Sequence, residues 1–214
     1  MKRALVVLLL TALSPLTWAL DATDQQRLND IQTRWAHIQY TLPHAQRTQA
    51  FEQLASQANA FTQARPQAAE AWIWAAIVSS SWAGAQGGLG ALSKVKAAKV
   101  DLETALALDP KALQGSAYTS LAALYDRVPG WPIGFGDADK AEQLLKQALQ
   151  LNPAGIDSLY FWGDHLYRQK RYGEARDALR KALLAAPRPG RESADTGRRK
   201  EIEDLLVEID KKLN

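Results

Sequence analysis

The chain has 214 residues, 47% of them hydrophobic, which is enough for one domain with a continuous core, and it contains no cysteine, so disulfides and a lipid-modified N-terminal cysteine are excluded. Its formal charge of +3 falls to +1 once Lys2 and Arg3 are set aside with residues 1–19. A surface that close to neutral offers no general footprint for nucleic acid, and no strand or zinc-finger pattern offers a specific one.

In chain order, Lys2 and Arg3 precede an apolar run from Ala4 to Leu13, and Thr17-Trp18-Ala19 supplies a small-residue cleavage site. Residues 1–19 therefore read as a signal peptide, and the expected mature protein is exported to the periplasm. The run is half the ~20 residues that a membrane-spanning helix needs. Residues 20–66 read as a helix pair. Leu28, Ile31, Trp35 and Ile38 form one stripe stopped by Pro43, and Phe51, Leu54, Ala58 and Phe61 form another stopped by Pro66.

From residue 67 to 187 the pattern repeats. Prolines 66, 110, 153 and 187 each close a helical run, at separations of 44, 43 and 34 residues. In the last unit, Leu159, Trp162 and Leu166 form a first-helix stripe with Gly163 admitting a close neighbour, and Ala175, Leu179 and Ala182 form a second. Tyr118, Leu121, Ala122 and Tyr125 followed by Ala141, Leu145 and Ala148 reproduce it one unit earlier, and Trp72, Ala75, Ala76 and Ser79 followed by Ala98, Leu102 and Ala105 begin the series. The two earlier units are lengthened by insertions at 84–92 and 128–136. The first is glycine-rich and reads as a flexible turn, because the strand and Lys-Ser/Thr context of a phosphate loop are missing.

The second insertion puts Trp131, Ile133 and Phe135 among two prolines and three glycines, where no helix can form. Two readings are open: the apolar groups tuck under the loop against neighbouring helices, or they line a pocket mouth. Asp139 with Glu142 reads as the capping box that restarts the helix, and Asp137 and Asp139 read as caps rather than calcium ligands. Residues 188–214 hold a final capping helix with Ile202, Leu205, Leu206, Ile209 and Leu213 on one stripe. The basic cluster Arg188, Arg191, Arg198, Arg199 and Lys200 reads either as a solvated helix start or as a surface for an acidic partner.

These units resemble the tetratricopeptide (TPR) signature, W-x2-L-G-x2-Y, then A-x3-F, then P. It is carried here by Leu159-x2-Trp162-Gly163-x2-Leu166, Ala175-x3-Leu179 and Pro187. The resemblance implies an all-α solenoid of antiparallel helix pairs, with first helices lining the concave side. On that side Asp157, Tyr160, Asp164 and Tyr167 fall about one turn apart, and Thr119, Ala123 and Asp126 occupy the matching places one repeat earlier. Tyrosines beside carboxylates suit a polar or mixed ligand, while an ordinary wet amphipathic surface has the same pattern. Trp131, Phe135, Asp126, Tyr160, Asp164 and Tyr167 are thus the candidate ligand-binding residues.

Over most of residues 67–205, the repeats, the stretch VPGWPIGFGDADKAEQLLKQALQLNPAGID and the tail APRPGRESADTGRRKEI also resemble the TPR component of TRAP-transporter systems. That resemblance implies a periplasmic, non-enzymatic scaffold that associates with a solute-binding protein, can assemble as a homotrimer and holds a cavity suited to an apolar ligand. Members of that family can be lipoproteins; without a cysteine, no lipid anchor is expected here. The rival reading is a general envelope adaptor that grips a peptide or protein in its concave groove. No catalytic set emerges: Ser93-x2-Lys96 lacks the companion motifs of penicillin-recognising enzymes, and His37, His44 and His165 lie in separate segments, so neither a cofactor nor a metal is expected.

Overall fold

The computed structural model describes residues 20–214; the expected signal peptide, residues 1–19, lies outside the described residues. Among these residues the chain is all-α, with no strand. The helices are α1 (Ala22–Tyr40), α2 (His44–Ala64), α3 (Ala69–Gln86), α4 (Gly88–Leu108), α5 (Ser116–Arg127), α6 (Ala138–Leu151), α7 (Ile156–Arg168), α8 (Tyr172–Leu183) and α9 (Glu192–Leu213). Each pairs with its successor through α8, giving a TPR-type α-solenoid in which α1 and α2 continue the stack laid down by α3 and α4.

The local chemistry explains the boundaries. Pro66, Pro110, Pro153 and Pro187 all stand just beyond a helix end, where a missing amide donor costs nothing. Asp21 caps α1 by accepting from the Asp24 amide at 2.8 Å, and Asp137 caps α6 by accepting from the Lys140 amide at 3.0 Å. Asp137, not Asp139, is therefore the cap; Asp139 sits inside the first turn, where its charge favours the helix N-terminus.

Residues 84–92 form no flexible turn. Helix α3 runs to Gln86 and α4 begins at Gly88, so the chain reverses at Gly87, whose φ of +65° suits glycine. The extra residues go into the helices, so that α3 and α4 have 18 and 21 residues where α7 and α8 have 13 and 12. Between α4 and α5 the backbone takes a second unusual path, with Leu113, Gln114 and Gly115 successively left-handed at φ 47°, 56° and 80°.

The core follows the predicted stripes. Phe51, Leu54, Ala58 and Phe61 are buried in α2, and Ala98, Leu102 and Ala105 in α4. Leu145 and Ala148 are buried in α6, as are Leu179 and Ala182 in α8. Each large apolar side chain so buried contributes roughly 1.5–3 kcal/mol. Helices α7 and α8 meet at Gly163, where an added Cβ would stand 2.6 Å from Leu179 Cγ and 3.4 Å from the Ala175 carbonyl oxygen. Ala175 is itself fully buried, so Ala175→Leu is expected to lower stability by about 1–3 kcal/mol through overpacking. Thermal unfolding checks this, and an unchanged melting temperature would contradict the packing described.

Helix α9 does more than cover the last pair. Ile202 and Ile209 seal α7 and α8, but its N-terminal half crosses to the start of the array and packs on α1. Ala194 joins the core of the N-terminal helices, and the Tyr40 hydroxyl donates to Glu201 at 3.3 Å. The backbone of Gly197 lies so close to the Tyr40 ring that a side chain there would enter it. The solenoid is thus closed into a ring.

Candidate ligand cavity

Ring closure leaves a half-open cavity of about 1120 Å³ on the concave side, walled by the first helices of the pairs, by the starts of α2 and α4 and by the segment from Ala185 into α9. Such a volume accommodates a drug-sized molecule. One wall is aromatic. Trp35 meets the Tyr40 ring edge-on at 5.7 Å and the Trp74 ring at 5.8 Å, and its Nε1 donates to Ser81 Oγ at 2.8 Å. Trp74, Ser120 and Phe161 occupy the same place in α3, α5 and α7, two residues after the stripe residues Trp72, Tyr118 and Leu159, and all three face the cavity.

Beside the aromatic residues the cavity wall is basic. Arg188 Nη1 donates to Asp157 at 2.6 Å and its Nε to Asp195 at 2.7 Å, while Arg198 donates to the other Asp157 oxygen at 2.8 Å and to Glu201. The Arg198 guanidinium also lies over the rings of Tyr160 at 4.2 Å and Phe161 at 4.9 Å. Burial opposes ionisation of Asp157, but the charges of Arg198 and Arg188 outweigh it and hold its pKa at about 2. Apart from Lys200, which is exposed and pairs with Asp204, the basic cluster is therefore neither a solvated helix start nor an outward surface. Arg188, Arg191 and Arg198 turn inward, and Arg199 donates to the carbonyls of Leu183 and Ala185.

Of the six candidate residues, the structure brings one to the cavity. Tyr160 lines it, together with Asp157, Thr119 and Ala123 of the same predicted face. The residues nearer the helix C-termini make structural ion pairs instead. Asp164 accepts from Arg127 at 2.7 Å and from Arg168 at 3.2 Å, and Asp126 accepts from the buried His165 Nδ1 at 2.9 Å, tying α5 to α7. Tyr167 packs against Tyr172, ring centroids 5.6 Å apart.

The second insertion does not bring its aromatics into the cavity. Phe135 tucks under the loop against Tyr125, edge-on at 5.5 Å, and Trp131 projects outward, 91% exposed. Val128, Pro129 and Ile133 supply the edge of the cavity in their place. The loop is held by its own backbone: Gly136 donates to the Pro129 carbonyl at 3.0 Å and Asp137 to that of Tyr125 at 3.0 Å. Trp131→Ala is accordingly expected to change stability by less than about 0.5 kcal/mol and to leave cavity binding unaltered. Thermal unfolding and dye titration of that variant measure both.

Among the described residues no group of His, Cys, Asp and Glu could hold a metal, and no helix is long and apolar enough to cross a membrane.

The architecture is that of a TPR-like α-solenoid with a walled concave face. Residues 133–192 match the tetratricopeptide repeat family model. The fold is similar to the crystal structure of a thermophilic TPR protein from Thermus thermophilus, with a TM-score of 0.61 and 19% identity over 89% of this chain and 83% of that one. No curated protein matches the sequence.

Proposed function

We propose that this chain is an exported, non-enzymatic TPR scaffold that holds a small, largely apolar ligand and acts as an accessory component of a TRAP-type solute uptake system in the periplasm. The observation that carries the reading is the half-open cavity of about 1120 Å³ with an aromatic wall. A peptide adaptor needs an open groove along its concave face, whereas here α9 crosses that face and is fixed to α1. The partner in this reading is a periplasmic solute-binding protein, with Trp131 and Ile133, 91% and 66% exposed, as its outward contact, and the scaffold assembles as a homotrimer.

Native mass spectrometry of the protein purified from periplasm tests the proposal. The expected spectrum shows a chain beginning at Leu20, an added mass from a small ligand, and trimer or complex with a solute-binding protein. Bare monomer retaining Met1 would overturn it.

A further inference from the structure

Two buried hydrogen-bond donors at the cavity have no acceptor among the described residues. Trp74 is only 4% exposed, yet its Nε1 has no partner there; the Arg191 Nε is likewise buried and unpartnered. Both residues line the cavity, and the Arg191 guanidinium lies 5.1 Å from the Trp74 ring centroid, so the two orphan donors belong to one spot. Trp82 and Arg176 carry the other unpartnered buried donors, and neither lines the cavity.

A buried donor left without an acceptor is costly, so a place that holds two calls for one. Stacking on Trp74 accounts for the face of the Arg191 guanidinium but not for its in-plane N–H groups, which radiate from the edge. The charges around it leave the same vacancy. Arg188 has Asp157 and Asp195, Arg198 has Asp157 and Glu201, and Arg127 has Asp164, whereas Arg191 pairs with no carboxylate among the described residues. Burial and the neighbouring Arg188 depress the pKa of Arg191, and the charges of Asp157 and Asp195, which bond other arginines, offset this only in part.

Resting on the reading of this cavity as a ligand site, we propose that Trp74 and Arg191 form its head-group subsite and that the ligand is an amphipathic organic anion. Its single carboxylate or sulfonate accepts from Trp74 Nε1 and the Arg191 edge, and its apolar body lies along Trp35, Tyr160 and Phe161. The anion satisfies both orphan donors and neutralises Arg191, while the aromatic wall covers the rest.

A pair of dyes with the same hydrocarbon frame separates head from body. 8-Anilinonaphthalene-1-sulfonate carries the anionic head; N-phenyl-1-naphthylamine lacks it, and both brighten on burial. The full mature chain is expected to bind the sulfonate at one saturable site at least ten-fold more tightly than the neutral amine. Arg191→Gln should weaken the sulfonate at least five-fold, Trp74→Phe should weaken it about three-fold by removing one donor, and both should leave amine binding unchanged. Circular dichroism confirms that each variant is folded; should Arg191→Gln not fold, Trp74→Phe, which keeps an aromatic ring, decides alone. Equal binding of the two dyes, or sulfonate affinity unmoved in the folded variants, would overturn the subsite while leaving the cavity reading intact. Binding of neither dye by wild type would overturn the cavity reading itself.

Discussion

Arg198→Met is expected to destabilise the protein by about 3 kcal/mol at neutral pH, because the methionine keeps the stem of the arginine and removes what holds the closing helix in place. The side chain is 10% exposed and joins Asp157 of α7 to Glu201 of α9 while lying flat on Tyr160. Removing one partner of a buried ion pair typically costs about 3–5 kcal/mol, since the remaining charge is stranded. The lower end applies here, because water in the cavity reaches Asp157 and Arg188 still bonds it. The pH dependence distinguishes this from lost packing. Asp157 has a folded pKa of about 2 against an ordinary 3.8, so the stability it contributes is present above pH ~4 and is lost as pH falls towards 2. The gap between wild type and Arg198→Met should narrow over that window. Urea denaturation at neutral pH and again close to the folded pKa of Asp157 measures it, and a deficit equal at both would show that the charge pair contributes nothing.

Gly197→Val should open the ring. Tyr40 cannot step aside for the new side chain, since its ring is braced edge-on against Trp35 and its hydroxyl is bonded to Glu201. Replacing a helical glycine ordinarily stabilises by up to about 1 kcal/mol, and that is the expectation for Gly173→Ala in α8, where an added Cβ meets open space. At Gly197 the sign reverses. We expect a loss of about 3 kcal/mol, at the upper end for overpacking, with amide protection falling across the first half of α9 but not in α8. Unchanged exchange in α9 would mean that its contact with α1 carries no energy.

Much of this architecture was readable from periodicity. The stripes, the closing prolines and the close approach at Gly163 are local features, set by spacing of apolar residues along single helices; the structure buries most of the residues they mark, while Trp72, Tyr118, Tyr125 and Trp162 are only half-buried and Leu213, at the end of α9, is exposed. The candidate site was readable only in part. Tyr160, Asp157, Thr119 and Ala123 line the cavity, but Asp126 and Asp164 lie near helix ends, where neighbouring helices supply His165 and Arg127 as partners. Sequence spacing gives the face of a helix and not what stands opposite it. The same limit hid Trp74, which adjoins the stripe residue Trp72, although its recurrence with Ser120 and Phe161 two positions after each stripe residue was a usable signal. It also made the arginines after residue 187 look like a surface cluster, because Asp157 and the aromatics they pack on come from α3 and α7.

A helical-repeat array with free ends behaves like a coiled spring: small rotations between neighbours add up, and its diameter breathes with temperature and load. Fastening α9 to α1 makes the spring a hoop. Rotations between neighbouring pairs must then sum to a fixed turn, so a distortion in one pair has to be compensated around the circle rather than dissipated at an end. Unfolding should correspondingly lose its end-to-end fraying and proceed as one cooperative event, and a molecule held at the centre would act on every pair at once.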